Sequence, residues 1–134
     1  LPLAQEEGLA VIPYNPLAGG LLTGKHKQAG GPTAGTRFTL GAAAERYQER
    51  YWHEREFNTV EELRTVADLA GLSLTTLAVA WVLANPIITA PIIGASRPEQ
   101  LFDSLKALEV TLDDNLKQKL DDITAEYRRG DSLR

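Results

Sequence analysis

The chain has 134 residues, a formal net charge of -4 at pH 7 and no Cys or Met. Its length fits one globular domain, and its acidic balance argues against the polyanion-binding surface that nucleic-acid contacts require. It contains no apolar run of about eighteen residues that would predict a membrane span, and the lack of Cys fits a reducing cytoplasm. We therefore expect a cytoplasmic protein with no nucleic-acid partner and no membrane association.

The beginning of the chain predicts a helix that is already under way. Residues 1–7 resemble the last turns of a helix, which Gly8 then ends. Because the chain contains no Met, we do not expect Leu1 to be the translational start. We expect the chain to be a piece of a longer protein.

The stretch 11–25 changes character near its middle. Residues 9–12 form a short apolar run that predicts a strand buried on both faces. After Asn15 the sequence predicts a loop rich in Pro and Gly that ends on the cation Lys25. Loops that leave the carboxyl ends of such strands carry the functional sites of α/β proteins, so this stretch is the first candidate site.

A loop and a charged helix are predicted next. Residues 26–39 are rich in Gly, Pro and Thr, which favours a surface loop. Residues 42–57 predict a helix in which Tyr47 and Tyr51 share one face. These two rings could dock an ordinary surface helix, or the helix could be a lid over a ligand pocket.

Two helices and a second strand follow. Thr59 and Glu62 form a capping-box pattern that predicts a helix ending at Gly71. Ser73 predicts the N-cap of an apolar helix over residues 74–84, which Asn85-Pro86 ends. The β-branched run 87–93 predicts another buried strand.

The last part of the chain predicts two more helices. Ser96 and Glu99 form a second capping-box pattern, and the helix after it has an apolar stripe of Leu101, Leu105 and Leu108. We expect Thr111 and Asp114 to cap the final helix and Gly130 to end it. That helix should bury an apolar stripe made of Leu112, Leu116, Leu120, Ile123 and Tyr127.

Two strands alone cannot form a stable parallel sheet. Each would leave an unpaired backbone edge, which native proteins avoid. We therefore expect the sheet to be completed by residues that this chain lacks or by another chain.

Polar side chains follow both predicted strands. Lys25 and Arg37 come after the first strand, and Ser96 and Arg97 come after the second. If the strands are parallel neighbours, these groups meet on one face and suit a ligand with several phosphates. The pattern leaves other interpretations open, because Ser96 could be a simple N-cap and the three cations could be solvated surface charges.

At two motifs the chain resembles the aldo-keto reductase family. YNPLAGGLLTGK, residues 14–25, resembles the strand-seven signature of that (β/α)8 barrel, and PIIGASRPEQL, residues 91–101, resembles its strand-eight cofactor signature. AGTRF and LAVAWVLANP lie at the expected spacing. The resemblance implies an α/β fold in which residues 1–134 form the C-terminal part of one such barrel domain, with strands seven and eight and the terminal helix.

The resemblance also implies an NADP(H) site. Tyr14 would stack on the nicotinamide. The pyrophosphate would be held by Asn15, Pro16, Leu17, Ala18, Gly19, Lys25 and Arg37. The 2′-phosphate would be held by Gly94, Ser96, Arg97 and Gln100, and the adenine would face Asp103 and Ser104. Asp103-Ser104 departs from the usual Glu-Asn of the family, and Asn15 departs from the common Ser.

The implied function of the full-length parent is hydride transfer between nicotinamide and an aldehyde or ketone. The catalytic Asp, Tyr, Lys and His of the family lie in the first half of its barrel, so this piece is expected to be inactive alone and to need the missing N-terminal half as its partner. His26 and His53 match no catalytic position, and we expect both at the surface with no metal site.

A second hypothesis is an NADP(H)-binding regulatory or redox-sensing subunit with little turnover. A third, a free-standing helical interaction module, disagrees with the two buried strands.

Overall fold

A computed structural model describes residues 1–127 of the chain. The described part is built from helices, with three short 3₁₀ segments at Ala18–Thr23, Pro98–Gln100 and Ala107–Glu109. The α-helices are α1 (Pro2–Glu6), α2 (Ala44–Tyr51), α3 (Glu54–Leu69), α4 (Leu74–Leu83), α5 (Leu101–Lys106) and α6 (Asp114–Ile123).

The main core lies between α3, α4, α6 and the loop before α2. It is formed by buried side chains from all of them: Leu21, Phe38, Phe57, Val60, Leu63, Val66, Ala67, Leu74, Leu77 and Leu120. Burying each aliphatic or aromatic side chain of this kind stabilises the fold by about 1.5 to 3 kcal/mol. The two turns of Ala18–Thr23 contact both α2 and α4, so the core holds the glycine-rich loop in place.

The prediction of two regular strands is wrong for this structure. Among residues 1–127 the only β-pairing is a single parallel bridge between Tyr14 and Ile92. The segments do run side by side, since the Thr89 amide donates to the Val11 carbonyl over 2.8 Å and the Ile92 amide donates to the Pro13 carbonyl over 2.7 Å. Pro13 and Pro91 have no amide hydrogen, and within residues 1–127 neither segment has a neighbour on its other side, which limits the ladder to this contact.

Two predicted helix boundaries agree with the structure. The Ser73 hydroxyl accepts a hydrogen bond from the Thr76 amide and caps α4, as predicted. Gly71 follows the end of α3 with φ of +66°, the left-handed conformation that ends many helices.

The predicted start of α3 is wrong. The helix begins at Glu54, and Thr59 lies inside it, where its hydroxyl donates to the Arg55 carbonyl. The break before α3 falls at Trp52, whose ring packs against Phe38 at 4.8 Å and Phe57 at 4.9 Å between centroids. The predicted helix 42–57 is therefore split into α2 and the first turn of α3.

The final helix keeps its predicted stripe but not its predicted cap. Asp113, and not Thr111 or Asp114, accepts from the Leu116 amide over 2.7 Å. Four of the predicted side chains, Leu112, Leu116, Leu120 and Ile123, contact the main core. The predicted end at Gly130 lies outside the described residues.

The apolar stripe predicted after Ser96 is not buried. Leu105 is 49% exposed and Leu108 is 72% exposed, whereas Ser104 and Ala107 are the residues that pack inward. Other large apolar side chains are also exposed along the paired segments: Leu9, Ile12 and Ile92. The described part of the chain therefore presents an apolar surface along the paired segments and α5.

Within residues 1–127, no single helix is long and apolar enough to cross a membrane. The consecutive helices α3 and α4 reach that length and composition only as a pair bent by 91°.

Candidate functional site

The single parallel bridge determines where the candidate site lies. It pairs Tyr14 with Ile92, the residues at which the two extended segments end. The loops that start at Asn15 and at Gly94 therefore leave the same edge of the molecule. The two segments are parallel neighbours, which is the condition that the site hypothesis required, although they are not regular strands.

Asn15 shapes the loop after the first segment. Its backbone has φ of +62°, a left-handed conformation that is rare outside Gly but tolerated by Asn. Its side-chain oxygen accepts from the Gly19 amide over 2.7 Å, and its side-chain amide donates to the Tyr51 hydroxyl over 3.2 Å. A single side chain thus closes the loop on itself and ties it to α2.

The backbone conformation and the close packing at position 19 require glycine. It has φ of +69°, and a Cβ there would lie 2.6 Å from the Tyr47 ring. The loop therefore approaches α2 more closely than any other residue would allow. Pro16, Leu17 and Ala18 lie half-buried in the same loop.

The Tyr14 side chain is 71% exposed. An aromatic residue at this position could have filled the core, but its ring in this structure contributes little to packing. It is free to offer a face to a flat ligand.

The cations predicted to bind phosphate are exposed and lack carboxylate partners. Lys25, Arg37 and Arg97 form no ion pair within residues 1–127. The guanidinium carbon of Arg37 lies 5.6 Å from the Tyr47 ring centroid, so this ring orients it beside the glycine-rich loop.

In the second loop Ser96 pairs with Gln100. The amide and the hydroxyl of Ser96 both donate to the Gln100 side-chain oxygen, over 2.9 and 3.1 Å. The prediction of Ser96 as an N-cap is wrong, because Arg97 precedes the 3₁₀ turn and no side chain caps it. Gly94 has open space where a Cβ would be.

The predicted adenine-facing pair lies partly inside the fold. Asp103 is exposed, and its carbonyl accepts from the Thr76 hydroxyl over 2.8 Å. Ser104 is 4% exposed, at the contact between α5 and α4.

The prediction that His26 lies at the surface is wrong. It is 5% exposed, and its ring meets Phe38 at 5.0 Å and Trp52 at 5.6 Å between centroids. Its buried Nε2 has no hydrogen-bond partner among the described residues. Burial, with a smaller effect from the charge of Lys25, lowers the pKa of His26. His53, by contrast, is exposed as predicted.

Sequence reasoning also missed a pair of arginines. Arg46 and Arg50, together with Ala43 and Tyr47 of the same region, surround a pocket of about 200 Å³ that opens on Tyr14. Their spacing of four on a tyrosine-bearing helix was the available signal, since such residues share one helical face.

A larger cavity, of about 570 Å³, is bordered by Leu21 and Leu22 of the glycine-rich loop and by Arg50, which also borders the smaller pocket. Its walls are mainly apolar side chains of α3, α4 and α6, including Leu63, Leu77 and Trp81. Glu56 lines it, with one carboxylate oxygen bonded to Arg55 and the other buried without a partner in the described residues. No three His, Asp or Glu side chains within residues 1–127 are grouped as metal ligands.

Comparison with solved structures identifies the fold class. The glycerol dehydrogenase of Gluconobacter oxydans matches with a TM-score of 0.74 at 26% sequence identity, over 97% of this chain and 38% of that protein. This similarity supports a fold of the (β/α)8 type, in which helices cover a ring of parallel strands.

Comparison with sequences identifies the family. Residues 1–125 match the Aldo/keto reductase family, and the chain belongs to it. The uncharacterized oxidoreductase YrpG of Bacillus subtilis is 42% identical over 123 residues, which are 92% of this chain and 34% of that protein. L-glyceraldehyde 3-phosphate reductase of Escherichia coli is 33% identical over 108 residues, covering 81% of this chain and 31% of the relative.

Another relative carries a different description. A putative voltage-gated potassium channel subunit beta of Schizosaccharomyces pombe is 33% identical over 127 residues, covering 92% of this chain and 36% of that protein. The chain thus spans about a third of the length of the curated relatives that it matches.

Proposed function

We propose that the chain is the C-terminal, cofactor-binding portion of an NADP(H)-dependent aldo-keto reductase barrel. Its coverage of about a third of each relative supports this proposal. So does its apolar surface, because Leu9, Ile12 and Ile92 lie exposed on segments that, within residues 1–127, each pair on one side only. An N-terminal portion that supplies the neighbouring strands would cover that surface.

The residues at the shared edge fit NADP(H). Three phosphates need several cations, and Lys25, Arg37 and Arg97 have no ionic partner in the described residues. The amides of Gly19 and Gly20 already donate within the loop, so we assign pyrophosphate contact chiefly to the cations. Arg97, with the paired Ser96 and Gln100, would hold the 2′-phosphate.

Bound NADPH would supply the hydride that reduces an aldehyde or ketone. In the proposed mechanism the exposed Tyr14 ring positions the nicotinamide, while Asn15 holds the shape of the loop beneath it. The proton donor and its activating residues would lie in the N-terminal portion. The proposed partners are a small carbonyl substrate and that portion of the barrel, in a cytoplasmic protein without nucleic-acid or membrane contacts.

The observation that carries this proposal is the bridge between Tyr14 and Ile92, which brings both candidate loops to one edge. The test is made on the full-length parent, obtained by extending the coding sequence upstream. Titration with NADPH should saturate one site, and mixing with aldehydes should oxidise NADPH. If the parent bound neither NADPH nor NADH, the proposal would be contradicted.

One specific observation favours a second function. The relative of Schizosaccharomyces pombe is described as a putative potassium channel beta subunit. An NADP(H)-binding subunit with little turnover would keep the same cofactor residues. Tight NADPH binding without measurable oxidation by any aldehyde would favour that alternative.

A further inference from the structure

The peptide group between Gly24 and Lys25 is held at both ends. At one end, Nη2 of Arg64, which lies on α3, donates a hydrogen bond to the Gly24 carbonyl over 2.6 Å. At the other end, the Lys25 amide donates to the Thr23 hydroxyl over 3.4 Å, and that hydroxyl donates in turn to the Gly20 carbonyl over 2.7 Å. Because a peptide group is planar, two contacts at its opposite ends fix the direction in which the chain enters Lys25.

The contact between Arg64 and Gly24 depends on glycine. Gly24 has φ of +70°, and a Cβ there would lie 2.7 Å from Nη2 of Arg64. A residue with a side chain would be strained in this conformation and would also displace the guanidinium group. Glu61, in the preceding turn of α3, restrains that group further, since its carboxylate accepts from Nε of Arg64 over 3.2 Å. The guanidinium group is therefore held against the loop.

The residue that follows Lys25 is anchored as well. The His26 side chain is buried against the rings of Phe38 and Trp52. The Lys25 side chain, by contrast, is exposed and forms no ion pair within residues 1–127. An exposed cation thus projects from a backbone that is fixed immediately before and after it.

We propose that Arg64 is a positioning residue for cofactor binding and that it acts through Lys25. By holding the Gly24 carbonyl, Arg64 keeps the backbone of Lys25 in place, so the ammonium group can reach the pyrophosphate without further ordering of the loop. This inference rests on the proposed function, in which Lys25 contacts the pyrophosphate. Arg64 itself needs no contact with the cofactor.

A double-mutant cycle in the full-length parent tests this coupling. Arg64→Gln should raise the Kd for NADPH about three- to tenfold, because the loop must then become ordered when the cofactor binds. NADH carries the same pyrophosphate, so its Kd should rise by the same factor. In the Lys25→Ala background, Arg64→Gln should change either Kd by less than about twofold, because the group that Arg64 positions is gone.

Two outcomes of the cycle would overturn the inference. Full additivity of the two substitutions would mean that Arg64 acts independently of Lys25. Unchanged Kd values for both cofactors in Lys25→Ala would mean that Lys25 does not contact the pyrophosphate, although the parent would still bind NADPH as the proposed function requires.

Matched variants separate positioning from charge. Arg64→Lys retains a donor for the Gly24 carbonyl and should recover part of the lost affinity. Glu61→Gln removes an exposed ion pair but leaves the hydrogen bond to Gly24, and Lys27→Gln removes an exposed cation nearby. Both should leave the Kd for NADPH within about twofold. A loss in Lys27→Gln as large as that in Arg64→Gln would assign the effect to overall charge and overturn the inference.

Hydrogen exchange of the parent without cofactor gives a measurement that does not depend on binding. Arg64→Gln should speed exchange of the Lys25 amide by about the factor by which it raises the Kd, while exchange in the middle of α4 should not change. Unchanged exchange at Lys25 would overturn the inference. If the parent bound no nicotinamide nucleotide, the proposed function would fail together with the role of Lys25, and faster exchange would then show only that Arg64 holds the loop.

Discussion

The helical core differs from the edge formed by the two paired segments in how far apolar side chains are buried. In α3, α4 and α6, side chains at helical spacing are buried and form one cluster. Along the paired segments, Leu9, Ile12 and Ile92 are as apolar as the core residues, yet they are exposed. A helix completes its backbone hydrogen bonds locally, whereas a strand depends on neighbours. Among residues 1–127, α3, α4 and α6 therefore bury apolar side chains, whereas the paired segments leave theirs exposed.

The largest expected effect lies in the helical core. Leu77 is 1% exposed, and Leu77→Ala in the full-length parent should lower the free energy of unfolding by about 2 to 5 kcal/mol, because it removes buried methyl groups and leaves a cavity. Urea denaturation, monitored by circular dichroism, measures this change in the free energy of unfolding. Leu69→Ala is the matched control, since Leu69 is 79% exposed and its loss should cost less than about 0.5 kcal/mol. Equal costs would mean that the described core is not the core of the parent.

Tyr14 lies at the edge, and there the expected effect is on rate and not on stability. Tyr14→Ala should slow hydride transfer on the order of a hundredfold, because a displacement of the donor of about 1 Å is enough for such a loss. Single-turnover stopped flow measures the step, and the melting temperature should hardly change because the ring is 71% exposed. Tyr14→Phe should restore most of the rate. Severe destabilisation by Tyr14→Ala, or failure of Phe to replace Tyr, would contradict the stacking role.

The second loop of the edge should separate the two nicotinamide cofactors. Arg97→Ala in the parent should weaken NADPH binding by roughly 1.5 to 3 kcal/mol, the range for a hydrogen bond to a charged group. NADH lacks the 2′-phosphate and should be hardly affected. Fluorescence titration with each cofactor measures the difference, and Lys119→Ala serves as the charge control. Equal losses of affinity for NADPH and NADH would indicate that Arg97 is an ordinary surface cation.

The smallest effect concerns His26, where the core meets the candidate site. Its pKa in the fold is lowered below the ordinary 6.5, so the unfolded chain binds a proton first as the pH falls. The contribution of uncharged His26 to the free energy of unfolding is therefore present above pH 6.5. It declines as the pH falls from 6.5 towards the pKa that His26 has in the folded protein. The melting temperature of the parent should fall as the pH is lowered from 7.5 to about 5, and it should fall less steeply in the His26→Phe variant. His53→Gln is the control, and a decline unchanged by His26→Phe would contradict this account.

Local chemistry made several features predictable from the sequence. The Ser73 cap, the left-handed Gly71 and the stripe of α6 are each specified within one or two helical turns. The sequence likewise indicated that two extended segments end near Tyr14 and before Gly94, and the parallel bridge between Tyr14 and Ile92 lies at those ends.

What could not be predicted depends on residues distant in sequence. His26 is buried because Phe38 and Trp52 close around it, and no local pattern indicates that enclosure. Thr59 matched a capping box, but packing of Trp52 moved the start of α3 to Glu54. Leu105 and Leu108 show helical spacing, but the surface that would bury them is not formed within residues 1–127. The cofactor roles assigned to the loops stay predictions.

We have proposed that a further part of the barrel covers the edge along which Leu9, Ile12 and Ile92 lie exposed. The most direct measurement is analytical ultracentrifugation of residues 1–134 alone at low concentration, combined with thermal unfolding of the same sample. We expect an aggregated, oligomeric or molten species without a cooperative transition, because nothing within residues 1–127 covers the apolar edge. A dilute monomer with a sharp cooperative transition would contradict the claim.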